Sequence, residues 1–202
     1  MADISLFKKP CVFMLGAMSF KQFPKLDLAE VAFFGRSNSG KSSLINRLVY
    51  QKKLVKTSNT PGKTKEINFF NLYSKLLLVD LPGYGFSKVD DKLKKKWQNL
   101  VFNYLKERQS LKQVYLIIDI RRGIKDIDEE VMNFLESNLK SYSIVLNKID
   151  KISEKEAEST LKLTQEQLAN KLFCKGIYLL SIKDNEDGYN FLRKELLSFI
   201  NI

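Results

Sequence analysis

Residues Gly35-Arg36-Ser37-Asn38-Ser39-Gly40-Lys41-Ser42 follow an apolar, β-rich run and precede a stretch of helical character. The pattern G-x-x-x-x-G-K-[ST] restricts the fold, because a strand must deliver the chain into a tight turn that opens directly into a helix. The glycines let backbone N–H groups point inward, and the helix N-terminus adds the positive end of its dipole, so the loop forms a receptor for phosphate. In such a loop Lys41 reaches the β- and γ-phosphates and the Ser42 hydroxyl ligates Mg²⁺. A strand placed this way needs a sheet around it.

The rest of the chain supplies one. Short β-rich runs at Glu30–Phe34, Ile67–Leu72, Lys75–Asp80, Val114–Ile120, Ser143–Leu146 and Ile177–Leu180 alternate with helical stretches at Lys41–Val49, Leu93–Glu107, Asp126–Leu139, Glu154–Leu172 and Tyr189–Ile200. Strands alternating with helices predict an α/β fold of three layers, a mostly parallel sheet with helices on both faces. Leu72 and Lys75 are too close for a crossover, so their strands form a hairpin. The expectation is six strands, one antiparallel. Asp126 and Ser153 are expected N-caps. Ligands in such sheets bind beyond the carboxyl ends of the strands.

Composition removes several chemistries. The 202 residues include no His, which excludes imidazole acid–base catalysis and His metal sites. Cys11 and Cys174 are too far apart in sequence for a zinc spacing. The net charge is +11 and lopsided: residues 1–110 carry 20 basic against 8 acidic groups, the remainder 14 against 15. An excess confined to one half suits a surface that meets a polyanion. No segment approaches the ~20 apolar residues of a membrane span. Lys8-Lys9 followed by the apolar run from Cys11 to Phe20 imitates a signal peptide. It lacks a small-residue cleavage site, and it is expected to be structure in a cytosolic protein.

Three further motifs fall at strand ends. Asn147-Lys148-Ile149-Asp150 follows the strand Ser143–Leu146. A carboxylate there can accept from both N1–H and N2–H₂ of guanine, which adenine does not offer, and a site built to pair a polar group rejects the analogue lacking it. Lys148 is expected to lay its stem over the base and Asn147 to brace neighbouring loops. Ser181-Ile182-Lys183 follows the strand Ile177–Leu180, where a small loop can support the base. Asp80-Leu81-Pro82-Gly83 ends the hairpin: Asp80 is expected to hold Mg²⁺ through water and the Gly83 N–H to sense the γ-phosphate. Thr64, in Thr60-Pro61-Gly62-Lys63-Thr64, is placed to close on Mg²⁺. Both loops are order–disorder elements that hydrolysis would release.

Gly35–Asn46, Thr60–Thr64, Ile67–Phe70, Asp80-Leu-Pro-Gly-Tyr-Gly85, Asp119-Ile-Arg121 and Asn147–Asp150 together resemble the EngB (YihA/YsxC) GTPases. The resemblance runs from about Glu30 to the C-terminus. It implies a P-loop GTPase (G-domain) fold over 28–202, with 1–27 as an N-terminal extension packed on it. It also implies cytoplasmic location and a role in assembling the large ribosomal subunit, in a family required for normal cell division and septation. The implied GTP-binding residues are Gly35, Arg36, Ser37, Asn38, Ser39, Gly40, Lys41, Ser42 and Ser43; Gly62, Lys63, Thr64, Lys65 and Glu66; Asp80, Leu81, Pro82 and Gly83; Asn147, Lys148, Ile149 and Asp150; and Leu180, Ser181 and Ile182. Lys41, Thr64 and Gly83 carry catalysis, and Ser42, Thr64 and Asp80 (via water) the metal. Ser39 stands where Val is usual, and Ile182 is bulkier than the usual small residue.

Many related GTPases place Gln after this glycine to orient the attacking water; here the residue is Tyr84, so slow hydrolysis is expected, with Arg36, Arg121 and Arg122 as nearby arginines. Missing groups would come from a partner or a monovalent cation, with Asn38 resembling an asparagine that coordinates K⁺. The expected protein is a monomer that meets a large-subunit precursor through lysines around Thr64 and at the start of the helix Leu93–Glu107. A kinase or ATPase is disfavoured by the guanine motif; a septal signalling GTPase acting through proteins remains the alternative.

Overall fold

The computed structural model describes residues 3–55, 66–85, 91–181, 183 and 186–200, and the side chains of 91–97 fall outside that set. Seven strands, β1 (Cys11–Ala17), β2 (Glu30–Gly35), β3 (Ile67–Leu72), β4 (Leu76–Asp80), β5 (Leu111–Asp119), β6 (Tyr142–Asn147) and β7 (Cys174–Leu180), form one sheet in the order β1-β3-β4-β2-β5-β6-β7. The helices are α1 (Lys41–Leu48), α2 (Asp91–Glu107), α3 (Asp126–Ser137), α4 (Glu154–Leu168) and α5 (Glu186–Leu197). Only β3 runs against its neighbours, on both sides. The expected six strands become seven, because Cys11–Ala17, read as extension, pairs along β3 at the sheet edge. Its register slips between Phe13 and Leu15, leaving a bulge at Met14. Val12, Phe13 and Met14 are all exposed.

The inner strands β2, β4, β5 and β6 are apolar along most of their length because both of their faces are covered. Ala32, Phe34, Leu77, Val79, Val114, Leu116 and Ile118 face one core with Val101, Tyr104 and Leu105 of α2 and Val131, Met132 and Leu135 of α3. Val31, Phe33, Leu76, Leu78, Tyr115 and Ile117 face the other, with Leu44, Ile45 and Leu48 of α1 and Tyr189, Leu192 and Leu196 of α5. The period of two along each strand sorts side chains between the layers. The β3–β4 hairpin turns on Tyr73 and Ser74, both at positive φ (48° and 52°), which matches the twist of the flanking strands. Asn71 Oδ1 accepts the Ser74 N–H at 2.7 Å, tightening that turn.

Two buried arginine networks tie helices to strands. Arg193, fully buried, donates to the carbonyls of Leu48 and Arg47 at the end of α1, each at 2.9 Å, and pairs with Glu186. Glu30, also fully buried, accepts from Tyr104 Oη at 2.8 Å and Arg108 Nε at 2.9 Å. Ser153 caps α4 as expected, in a capping box with Glu156. Asp126 does not cap α3: Lys125 is the N-cap, and its N–H donates to Asp128 Oδ2 at 2.9 Å. Helix α4 stops at Leu168, short of the expected Leu172, because the Leu172 and Phe173 amides turn to Glu136 of α3 (3.1 and 3.0 Å). Among the described residues no helix is long and apolar enough to cross a membrane. Removing one partner of a buried ion pair strands the other charge. Arg108→Ala should therefore lower unfolding free energy by about 3 kcal/mol in chemical denaturation, and adding Glu30→Gln should recover part of the loss.

Candidate functional site

The parallel strands β2, β4, β5, β6 and β7 end at Gly35, Asp80, Asp119, Asn147 and Leu180, and their exits converge along one end of the sheet. The loop 35–40 leaves β2 there and opens α1 at Lys41. Asn38 (φ 63°) and Gly40 (φ 95°) take left-handed conformations that curl the loop. Lys41 Nζ forms an ion pair with Asp80 Oδ1, joining the first residue of α1 to the last residue of β4. The hydroxyls of Ser37 and Ser39 are buried without a hydrogen-bond partner. An electropositive helix N-terminus, a lysine and unsatisfied hydroxyls in one loop form an anion receptor.

The Asn147–Asp150 motif is stitched to this loop. Asn147 Nδ2 donates to Ser39 O at 2.9 Å, so Asn147 braces the loop as expected. Lys148, itself left-handed (φ 69°), donates from Nζ to Asn38 O at 2.5 Å and to Asp119 Oδ2 at 2.9 Å. Burial alone would raise the Asp119 carboxyl, but hydrogen bonds from Arg121 and Lys148 outweigh it and hold the group well below the usual carboxylate range. Asp150 Oδ1 accepts from the Ser181 hydroxyl at 2.7 Å, which, with Lys151 beside it, keeps the carboxylate ionised and aimed. The Lys183 N–H returns to Ser181 Oγ at 2.9 Å. The β6 and β7 exits thus share one carboxylate.

Leu81 donates its N–H to Phe33 O at 3.0 Å, and Tyr84 donates its own to Gly35 O at 3.3 Å, so the 81–84 segment runs beside the phosphate loop. Ser42 and Ser43 sit in the first turn of α1, Ile149 in the short turn after Lys148, and Leu180 is buried at the end of β7. Glu66 is not beside the loop. Its carboxylate lies against Gly16 of β1, and β3, which it precedes, is separated from β2 by β4. Gly62, Lys63, Thr64, Lys65 and Ile182 lie outside the described residues.

The arginines named as candidates are largely committed elsewhere. Arg36 donates to Gly123 O at 2.8 Å and pairs with Asp128, and Arg121 chelates Asp119 at 2.6–2.9 Å. Asp128 is the residue the sequence reading missed. It sits two positions beyond the expected cap, and the acidic first turn Asp126-Ile127-Asp128 was its one visible signal.

A phosphate loop on a mostly parallel sheet, with an Asn-Lys-x-Asp loop bonded to its backbone, defines a GTPase of the phosphate-loop class. Residues 30–148 match the family model described as 50S ribosome-binding GTPase. The chain is 48% identical over 153 residues to a probable GTP-binding protein EngB of Rickettsia bellii, covering 76% of this chain and 72% of that one. It is 45% identical over 191 residues to the probable GTP-binding protein EngB of Caulobacter vibrioides, covering 95% and 83%. A crystal structure of a probable GTP-binding protein engB superposes with a TM-score of 0.64 at 24% identity, covering 84% of this chain and 99% of that one. The chain belongs to the EngB family of GTP-binding proteins.

Gly40 and Gly123 separate two costs at this site. A methyl on Gly40 would lie 2.3 Å from Asn147 Nδ2, in addition to the strain of its φ of 95°, whereas Gly123 (φ 57°) meets nothing within 4 Å. Gly40→Ala should abolish GTP binding measured by fluorescent-nucleotide titration. Gly123→Ala should cost only about 1–2 kcal/mol of stability and leave binding intact.

Proposed function

We propose that this protein is a slow, guanine-specific GTP switch that acts in the cytoplasm on a precursor of the large ribosomal subunit, and that normal cell division and septation depend on it. The observation that carries the nucleotide reading is the pair of bonds from Asn147 to Ser39 O and from Lys148 to Asn38 O. They fix the base-reading loop at a set distance from the phosphate loop, so that one nucleotide spans both. Asp150, ionised and held by Ser181, accepts from guanine N1–H and N2–H₂.

The phosphates lie on the 35–42 loop. Lys41 leaves its ion pair with Asp80 to meet the β- and γ-phosphates, and the loop amides neutralise the charge that develops as the γ-phosphoryl group transfers. Among the described residues no three acidic, His or Cys side chains cluster to hold a metal by themselves. A hydroxyl at the start of α1 and a nearby carboxylate are nevertheless hard oxygen donors suited to Mg²⁺. Ser42 would hold that ion directly, Asp80 through water, and Thr64 in the GTP state; the metal would supply neutralisation of phosphate charge there. Gly83 N–H senses the γ-phosphate. Tyr84 is turned onto Asp128 and leaves water orientation to a partner or a monovalent cation, so intrinsic hydrolysis is expected to be slow.

The ribosomal reading is supported by the family match and by the charge excess of residues 1–110. Asp150→Asn should weaken GTP binding by about 2–3 kcal/mol, since two charge-assisted bonds are lost, and binding should recover with xanthine nucleotides; unchanged preference for GTP over XTP in competition would remove Asp150 from the base. Large-subunit particles should pellet with the protein preferentially in the GTP state. Their affinity should fall with salt by roughly 0.7–0.9 log units per log unit of salt for each phosphate contacted, and Lys94/Lys95/Lys96→Glu should lose the particles while keeping GTP. Salt-insensitive association would point to a protein partner instead.

A further inference from the structure

Asp128 does more than a helix cap requires. Its Oδ2 accepts the Lys125 N–H at 2.9 Å, which satisfies α3. The same carboxylate also takes the Tyr84 hydroxyl on Oδ1 at 2.7 Å and lies 3.2 Å from the Arg36 guanidinium. Asp128 is fully buried, so each of these donors offsets the cost of keeping a charge away from water. Three separate segments therefore meet on one carboxylate: the phosphate loop through Arg36, the segment after β4 through Tyr84, and the start of α3.

The backbone runs in the same sense. Arg36 and Tyr84 form an isolated parallel bridge, and Phe34 packs edge-on against the Tyr84 ring with centroids 4.7 Å apart. Burial, and then the neighbouring Asp128 charge, push the Tyr84 hydroxyl far above its ordinary range, so it remains a donor. Gly83 is drawn against the loop by this arrangement. A methyl on it would lie 3.1 Å from Gly35 O and 3.4 Å from Ser37 N. Arg36, bonded also to Gly123 O, is a strut between the loop and the β5–α3 connection.

We propose that Asp128 is a positioning residue for GTP hydrolysis: through Tyr84 and Arg36 it holds the Gly83 N–H against the phosphate loop, where the γ-phosphate arrives. It touches no reacting atom and acts only through those two side chains. The inference rests on the reading of Gly83 as the γ-phosphate sensor given under Proposed function. It also gives Tyr84 a task in place of water orientation, that of an anchor whose aromatic ring and hydroxyl both face the protein interior.

The test compares Tyr84→Phe, which keeps the ring contact with Phe34, with Asp128→Asn and the double variant. Four quantities are read: affinity for GDP, affinity for a non-hydrolysable GTP analogue, single-turnover hydrolysis, and amide hydrogen exchange of the 81–85 segment. GDP affinity should stay within about twofold, while analogue affinity and hydrolysis fall roughly tenfold, the scale of one hydrogen bond to a charged group. Exchange should quicken in both single variants. The double variant should be no worse than Asp128→Asn alone, because the two residues act as a unit. A wild-type exchange pattern in Tyr84→Phe, or GDP and GTP losses that match each other and track a fall in melting temperature, would overturn the proposal. Quickened exchange with an unchanged ratio of GTP to GDP affinity would instead strike down the Gly83 assignment, and the catalytic part of this inference with it.

Discussion

The hydrogen bond from Asn147 Nδ2 to Ser39 O spans 108 positions of sequence and is buried. It closes the phosphate loop against the exit of β6, and the geometry of the site follows from it. Ser39 O cannot turn to solvent, Lys148 is brought over Asn38, and the side of Gly40 is left with no room for a side chain. Because a buried amide left unpaired costs roughly 1–3 kcal/mol, loop and base motif hold each other in place. Neither forms a site alone.

The sheet makes that bond possible. Parallel strands put all their carboxyl ends on one side, and β2, β5 and β6 are adjacent in register: Gly35 lies beside Ile117, and Asp119 beside Asn147. Two layers of helices keep this platform stiff. Arg193 ties the end of α1 to α5, and α5 follows the Ser181 loop in the chain. Both ends of the nucleotide site are thereby anchored to the same side of the sheet.

What the sequence made legible was local. Gly35–Ser42 and Asn147–Asp150 are each read within a few residues, because the chemistry depends on short spacing and on the strand that precedes it. The Tyr73–Ser74 turn was visible as a connection too short for anything but a hairpin. The features that escaped are those whose partners lie far off. Asp128 reads as one more acid in the first turn of a helix until Arg36 and Tyr84 are folded onto it. Strand β1 reads as a charge-flanked apolar segment, since nothing near it in sequence shows that it pairs with residues 67–72. Strand β7 begins earlier than its apolar alternation suggested because it lies at the sheet edge and is mostly half-buried, which weakens the pattern.

The edge position of β1 bears on how the chain is made. Cys11 pairs with Leu72, 61 positions later. At a synthesis rate of roughly 5–20 residues per second, β1 waits some 3–12 s for its partner strand to be made. Through that interval Val12-Phe13-Met14-Leu15 is an apolar ribbon with no neighbour. Lys8, Lys9 and Lys21 bracket it, and like charges at the ends of such a segment keep nascent chains apart. The lysines that make this stretch imitate an export signal thus also lie where like charges oppose the self-association of an apolar strand still lacking its partner.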